Sequence, residues 1–219
     1  MLGTVGLLLL AALPGQAADY SIKVVNEAPP KDVKEPIRKL LGEQAVQLLD
    51  GKGEPLVEVW FRKEVPGKAT EAQIKNGLTY HEIPETTLFG AMRVLKQITD
   101  YRKQKVMPGV YTLRLAFQPM DGDHMGTAPY SEFLLASPAA DDKGAGTLSP
   151  KALHEMSAKS TNNHPGVFLL FPAKDAGEPK LTNKGDGHWV LTIKQDVTVG
   201  GKKATLGVGL TLIGTSSSA

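Results

Sequence analysis

Gly109-Val110-Tyr111-Thr112-Leu113-Arg114-Leu115-Ala116-Phe117-Gln118 is the stretch that decides the fold class. Tyr111, Leu113, Leu115 and Phe117 alternate with Thr112, Arg114, Ala116 and Gln118. A period of two becomes a single apolar face only when the chain is extended. The pattern predicts a strand buried on the first set of side chains and wet on the second, as an antiparallel sheet allows.

Toward the C-terminus the same signal recurs. Val167 to Phe171 is apolar at every position, as a central strand covered on both faces would be. Trp189, Leu191 and Ile193 alternate on one arm of a closing hairpin, and Ala204, Leu206, Val208, Leu210 and Leu212 on the other, with Gly200-Gly201 as the turn. Phe133 to Ala136 adds a short strand. Toward the N-terminus, Asp50-Gly51-Lys52-Gly53 joins Ala45–Leu49 to Leu56–Arg62 as a hairpin. Val57, Val59 and Phe61 share one face of its second arm, opposite Glu58, Trp60 and Arg62; Trp60 there either lies under a loop or is exposed. Thr87 to Thr99 reads as a strand bent at Gly90, and Tyr20 to Val25 as a first strand.

Helical signals are few. Pro36 to Leu41, stopped by Gly42, and Glu71 to Lys75 each suit a turn or two. Ser149-Pro150 is an N-cap and first-turn pair, followed by Ala152, Leu153 and Met156 on one helical face. Residues 64–86 otherwise read as polar and irregular. The sum, roughly nine or ten strands with one or two short helices, predicts a mainly β fold, an antiparallel β-sandwich. Without repeats or a linker, residues 18–213 are expected to form a single domain, with Gly214 to Ala219 as a flexible tail.

The 219 residues are 41% hydrophobic and 22% charged, with a net charge of +2 spread along the chain. That is a globular composition, and it gives no electrostatic reason to expect nucleic acid as partner. The absence of cysteine excludes a thiol nucleophile, a thiolate metal site and a cysteine-linked lipid anchor. Leu2 to Leu13 is short, uncharged and apolar, and Gly15-Gln16-Ala17 places small residues before Ala18. Residues 1–17 therefore read as a signal peptide, too short to span a bilayer and lacking a basic start. The expectation is a periplasmic or secreted protein with no membrane span after cleavage.

No zinc-protease helix, G-x-S-x-G elbow, phosphate loop or dinucleotide fingerprint is present. The densest polar cluster is Gln118-Pro119-Met120-Asp121-Gly122-Asp123-His124-Met125-Gly126. His124 with a carboxylate and Met would suit copper; Asp121 and Asp123 would suit calcium, although the rest of a calcium loop is missing. A glycan or peptide loop with Tyr130 as stacking surface is a third reading. The plainer one is that Asp and Gly shape a turn. His164, in Ser160-Thr161-Asn162-Asn163-His164-Pro165-Gly166, leads into the all-apolar strand, and sandwich loops cluster at two ends. Asp121, Asp123, His124 and His164 would then make a metal set for copper, zinc or calcium; an ordinary capping loop is again the plainer reading. Tyr101-Arg102-Lys103-Gln104-Lys105 reads as a solvated hairpin tip, and His154 as a solvated helix residue.

At Trp60-Phe61-Arg62-Lys63-Glu64-Val65-Pro66, Gly109 to Arg114 and Gln118 to Gly126 the chain resembles a group of uncharacterised exported bacterial proteins. The resemblance implies export and a single domain, and brings no activity, ligand or catalytic residue. Two functions remain open: a non-enzymatic binding or structural protein engaging an envelope protein or glycan through its end loops, and a metal-binding protein using the 121–125 loop.

Overall fold

The computed structural model describes residues 19–119, 128–161 and 164–217. Thirteen strands and three short helices follow one another: β1 (Ser21–Val25), α1 (Glu35–Arg38), β2 (Ala45–Leu49), β3 (Pro55–Phe61), β4 (Val65–Gly67), α2 (Glu71–Asn76), β5 (Leu88–Val94), β6 (Ile98–Thr99), β7 (Lys105–Val106), β8 (Gly109–Phe117), β9 (Glu132–Pro138), α3 (Pro150–Ala158), β10 (Gly166–Pro172), β11 (Lys180–Asn183), β12 (Trp189–Val199) and β13 (Lys202–Ile213). The mainly β expectation holds. In place of the two sheets of a sandwich, eleven strands form one mostly antiparallel sheet curled into a half-barrel. Its order is β1-β2-β3-β5-β8-β9-β10-β13-β12-β11, with β4 beside β12.

The curl has identifiable causes. The register slips between Leu88 and Gly90 where β5 meets β8, and such a bulge bends a strand. Gly90 is required there, since a Cβ at that position would stand 2.4 Å from the Trp60 carbonyl oxygen. After β3 the chain crosses the concave side, and β4 pairs in parallel with β12, Val65 opposite Val197. The Gln195 side chain donates to the Arg62 carbonyl at 2.8 Å, tying the end of β3 to the far half of the sheet. Tyr80, from the crossover, donates to Phe171 O at 2.8 Å and accepts from Gly209 N at 2.9 Å. Its hydroxyl thus sits between β10 and β13. Burial holds the Tyr80 phenol well above its ordinary ionisation range. The stretch that reads as irregular therefore carries Val65, Tyr80 and Ile83 into the main core.

Inside the curl, the alternating residues named from the sequence meet as expected. Leu113 and Leu115 of β8, Val57 and Val59 of β3, and Leu206, Val208, Leu210 and Leu212 of β13 belong to one buried cluster. The closing hairpin turns at Gly200 and Gly201, both at positive φ (54° and 83°), as a two-residue hairpin loop demands. The stripe on β12 continues through Val197 and Val199, beyond the part legible as alternation.

The second set on β8 is not wet. Thr112, Arg114 and Ala116 are buried, because the convex face of the sheet is also covered. Over β2, β3 and β5 lies the segment with α1, whose Val33, Ile37 and Leu41 pack on Trp60. Each such side chain contributes about 1.5–3 kcal/mol when fully buried. Trp60 is 0% exposed, and its Nε1 donates to Glu27 O at 2.6 Å. Over β8, β9 and β10 lie α3 and the β6–β7 hairpin, packing Leu153 and Tyr101 against Phe133, Leu135 and Val167. Along the seam between the covers, the Arg114 guanidinium grips Asp142 through Nε at 2.7 Å and Nη2 at 2.9 Å. It also donates to the carbonyls of Thr86, Gly144 and Gly146. Thr112 Oγ1 donates to the same carboxylate at 2.7 Å.

Candidate functional site

The cover over β8–β10 is fixed by directional bonds. Asp100, buried at the start of the β6–β7 turn, accepts from the backbone N–H groups of Arg102, Gln104 and Val167 and from the Gln104 amide. Burial pushes its carboxyl above the ordinary range, and those four donors pull it back. The bond to Val167 N pins the turn onto β10. Ser157, on the buried side of α3, donates to Ala136 O at 2.6 Å and accepts from Gly166 N at 3.0 Å, bridging β9 and β10. Ser160 Oγ donates to Ser157 O at 2.8 Å. Both hydroxyls are thus committed to structure. The helix starts where its cap predicts, with Ser149 Oγ accepting from Ala152 N at 3.2 Å; its buried face is Leu153 and Ser157, while Ala152 is exposed.

Between these two supports the cover stands off the sheet. A cavity of about 310 Å³ opens there, near the lower end of the range usual for small-ligand sites. Its floor is apolar: Ala116 from β8, Phe133 and Leu135 from β9, and Val167 from β10. Tyr101 and Phe117 supply aromatic walls. The polar groups of its margin are Arg102, Gln118, His154, His164 and Ser216. His81 stacks on Phe117 at 5.2 Å and pairs with Glu132 at 3.0 Å, which holds that wall in place. Tyr101, buried, is held by the chain end: Ser216 N donates to Tyr101 O at 2.8 Å. Burial raises the Tyr101 phenol, and a bond with the Ser216 side chain opposes that rise.

Asp121, Asp123 and His124 lie outside the described residues, so the proposed meeting of His124 with His164 does too. Pro119 and Ala128, on either side of that segment, both line the cavity. His164 is exposed and belongs to the cavity margin, which His154 also lines. Tyr130 packs edge-on against Phe171 at 5.0 Å, joining the outer aromatic cluster. Among the described residues no three His, Asp or Glu side chains gather as a metal ion would require.

Three members of the site escaped the reading of the sequence. His154 is half-buried over the cavity because α3 turns that side to the sheet. Tyr101 and Arg102 belong to a run that reads as a solvated tip, and Arg102 and Lys103 are indeed exposed. The overlooked signal was Tyr101 itself, since an aromatic ring at the base of a charged turn has apolar area to bury. No known protein family matches the chain, and neither a curated protein nor a solved structure matches it.

Proposed function

We propose that this chain is an exported, non-enzymatic binding protein that holds a small, mainly apolar ligand in the cavity under α3 and the β6–β7 turn. The observation that carries the reading is the cavity. Elsewhere the convex face is packed to zero exposure around Trp60 and Arg114, yet here four apolar side chains from three strands open onto a hollow with a polar margin. Concave apolar floors with a few polar groups at the rim are the usual form of a ligand site. The hydroxyls of Ser157 and Ser160 are committed to backbone partners. Export rests on the apolar run Leu2 to Leu13 and the Gly15-Gln16-Ala17 site. No helix among the described residues is long and apolar enough to cross a membrane. Envelope proteins and glycans remain the partner classes for the outer loops, with no electrostatic case for nucleic acid.

The test is titration of the purified chain with the neutral dye N-phenyl-1-naphthylamine, whose fluorescence rises in apolar sites. Saturable binding is expected with a Kd on the order of 10–100 μM, from the affinity a ligand of that size commonly achieves. Ala116→Phe, which fills the floor, should abolish binding while the melting profile stays cooperative. A dye that fails to bind, or binds the variant equally, removes the reading. Export is checked separately: the chain recovered outside the cytoplasm should begin at Ala18, and recovery of intact chain from the cytoplasm alone would refute it.

A further inference from the structure

We propose that the ligand is an anionic amphiphile, with its hydrocarbon part in the cavity and a carboxylate or phosphate head in the groove beyond His164. The inference rests on the cavity reading above and adds the chemistry of the head. A second, open groove of about 550 Å³ adjoins the cavity, lined in part by Lys105, Met107, Lys159, Thr161 and His164. His164 lines both, so the two hollows share that residue. Met107, 52% exposed, gives the groove an apolar ledge.

Charge separates this pair of hollows from two others on the surface. Among the described residues, no carboxylate lines the cavity or its neighbouring groove, while Arg102, Lys105 and Lys159 do. Two other hollows in the surface mix signs: one holds Glu35 and Glu43 beside Arg38, the other Glu178 and Asp196 beside Arg62 and Lys194. A lining of one sign favours an anionic head over a neutral or cationic one. Lys159 pairs with Asp141 at 3.2 Å, but both side chains are substantially exposed, so the pair is weak and exchangeable. Lys105 and Arg102 form no ion pair among the described residues.

The neutral polar groups of the groove are already engaged. The Gln104 amide donates to Asp100 at 2.8 Å and to Pro165 O at 3.0 Å. Thr161 Oγ1 shares its single proton between the His164 carbonyl and Gln104 Oε1, the latter at 3.2 Å. Recognition of the head therefore falls to the cations and the His164 ring. A charged head on such a rim gains from each cation, whereas a neutral alcohol of the same chain length gains only a hydrogen bond.

Displacement of N-phenyl-1-naphthylamine from the full chain by decanol, decanoate and decyl phosphate, each below its micelle concentration, tests this. At low salt at least one anion should displace the dye about tenfold more tightly than decanol, the sum of several modest exposed charge pairs. Salt should erode that preference. The better of decanoate and decyl phosphate identifies the head. In the double variant Lys105→Glu, Lys159→Glu the anions should fall to within about twofold of decanol, with dye and decanol binding unchanged. If decanol equals both anions in the natural chain, the head assignment is overturned while the cavity reading stands. If the preference survives the double reversal, the groove is not where the head sits. If the dye itself does not bind, both proposals fail together.

Discussion

The two covers on the convex face solve one problem in two ways. Over β2, β3 and β5 the α1 segment is drawn down onto Trp60 by Val33, Ile37 and Leu41. Its charged contact is Glu27 with Arg93 of β5, whose guanidinium also pairs with the buried Glu58 of β3. Over β8, β9 and β10 the cover is fixed by Asp100, Ser157 and the Arg114–Asp142 pair. Apolar attraction is non-directional and closes any gap it can. Hydrogen bonds have a set length and angle, so a cover hung on them is held at a fixed height. The first cover leaves Trp60 fully enclosed; the second leaves a cavity with His154 and His164 at its rim.

Substitutions would break or sharpen that contrast. The largest effect is expected at Trp60→Ala. It empties the packed cover and leaves the Glu27 carbonyl without its indole donor, so chemical denaturation should show a loss near the top of the range of about 3–5 kcal/mol. A loss below about 1 kcal/mol would mean that this cover is not held by packing. Asp142→Ala comes next. It leaves Arg114, 0% exposed, with carbonyl partners but no counter-charge, at a cost of about 3 kcal/mol or more. Hydrogen exchange should then rise over 139–148 before it rises over the α1 segment.

Asp100→Asn should show a smaller effect with a distinctive pH dependence. Because burial raises the folded carboxyl above its ordinary 3.8, the folded state holds that proton more tightly than the unfolded chain. The stability this contributes is full below the unfolded value and is lost as the pH rises through the folded one. Between about pH 3 and pH 6 the melting temperature of the variant should therefore gain on that of the natural chain as the pH rises. An identical slope would show that the four donors cancel the burial. The smallest stability change belongs to Ala116→Phe. A filled cavity should move stability by no more than about 1 kcal/mol in either direction, against the 1–3 kcal/mol typical of overpacking a dense core.

The strand pattern was legible where a side chain's fate depends on its own neighbours in sequence. Asp50-Gly51-Lys52-Gly53 makes its hairpin, with Asp50 Oδ1 accepting from the N–H groups of Lys52 and Glu54 at 2.9 Å. Gly90 bends β5, and the closing hairpin turns at Gly200-Gly201. The reading failed where fate depends on what arrives from elsewhere. Arg114 reads as a solvent residue, and nothing in its own strand announces that Asp142 and three carbonyls will enclose it. Residues 64–86 read as loop because their apolar residues are spaced too widely for any period. Val65, Tyr80 and Ile83 reach the core one at a time.

The sequence by itself determined most of the longer strands, their turns, the helix start at Ser149-Pro150 and much of the inner apolar face, all set by steric limits and spacing within a few residues. Only the tertiary structure decided that the strands make one curled sheet, that its convex face is covered twice, and that one cover stands off to leave a cavity. Those outcomes depend on long-range encounters: β4 with β12, Gln195 with Arg62, and Asp100 with Val167. Their energies belong to pairs of residues distant in sequence, and local periodicity carries no record of them.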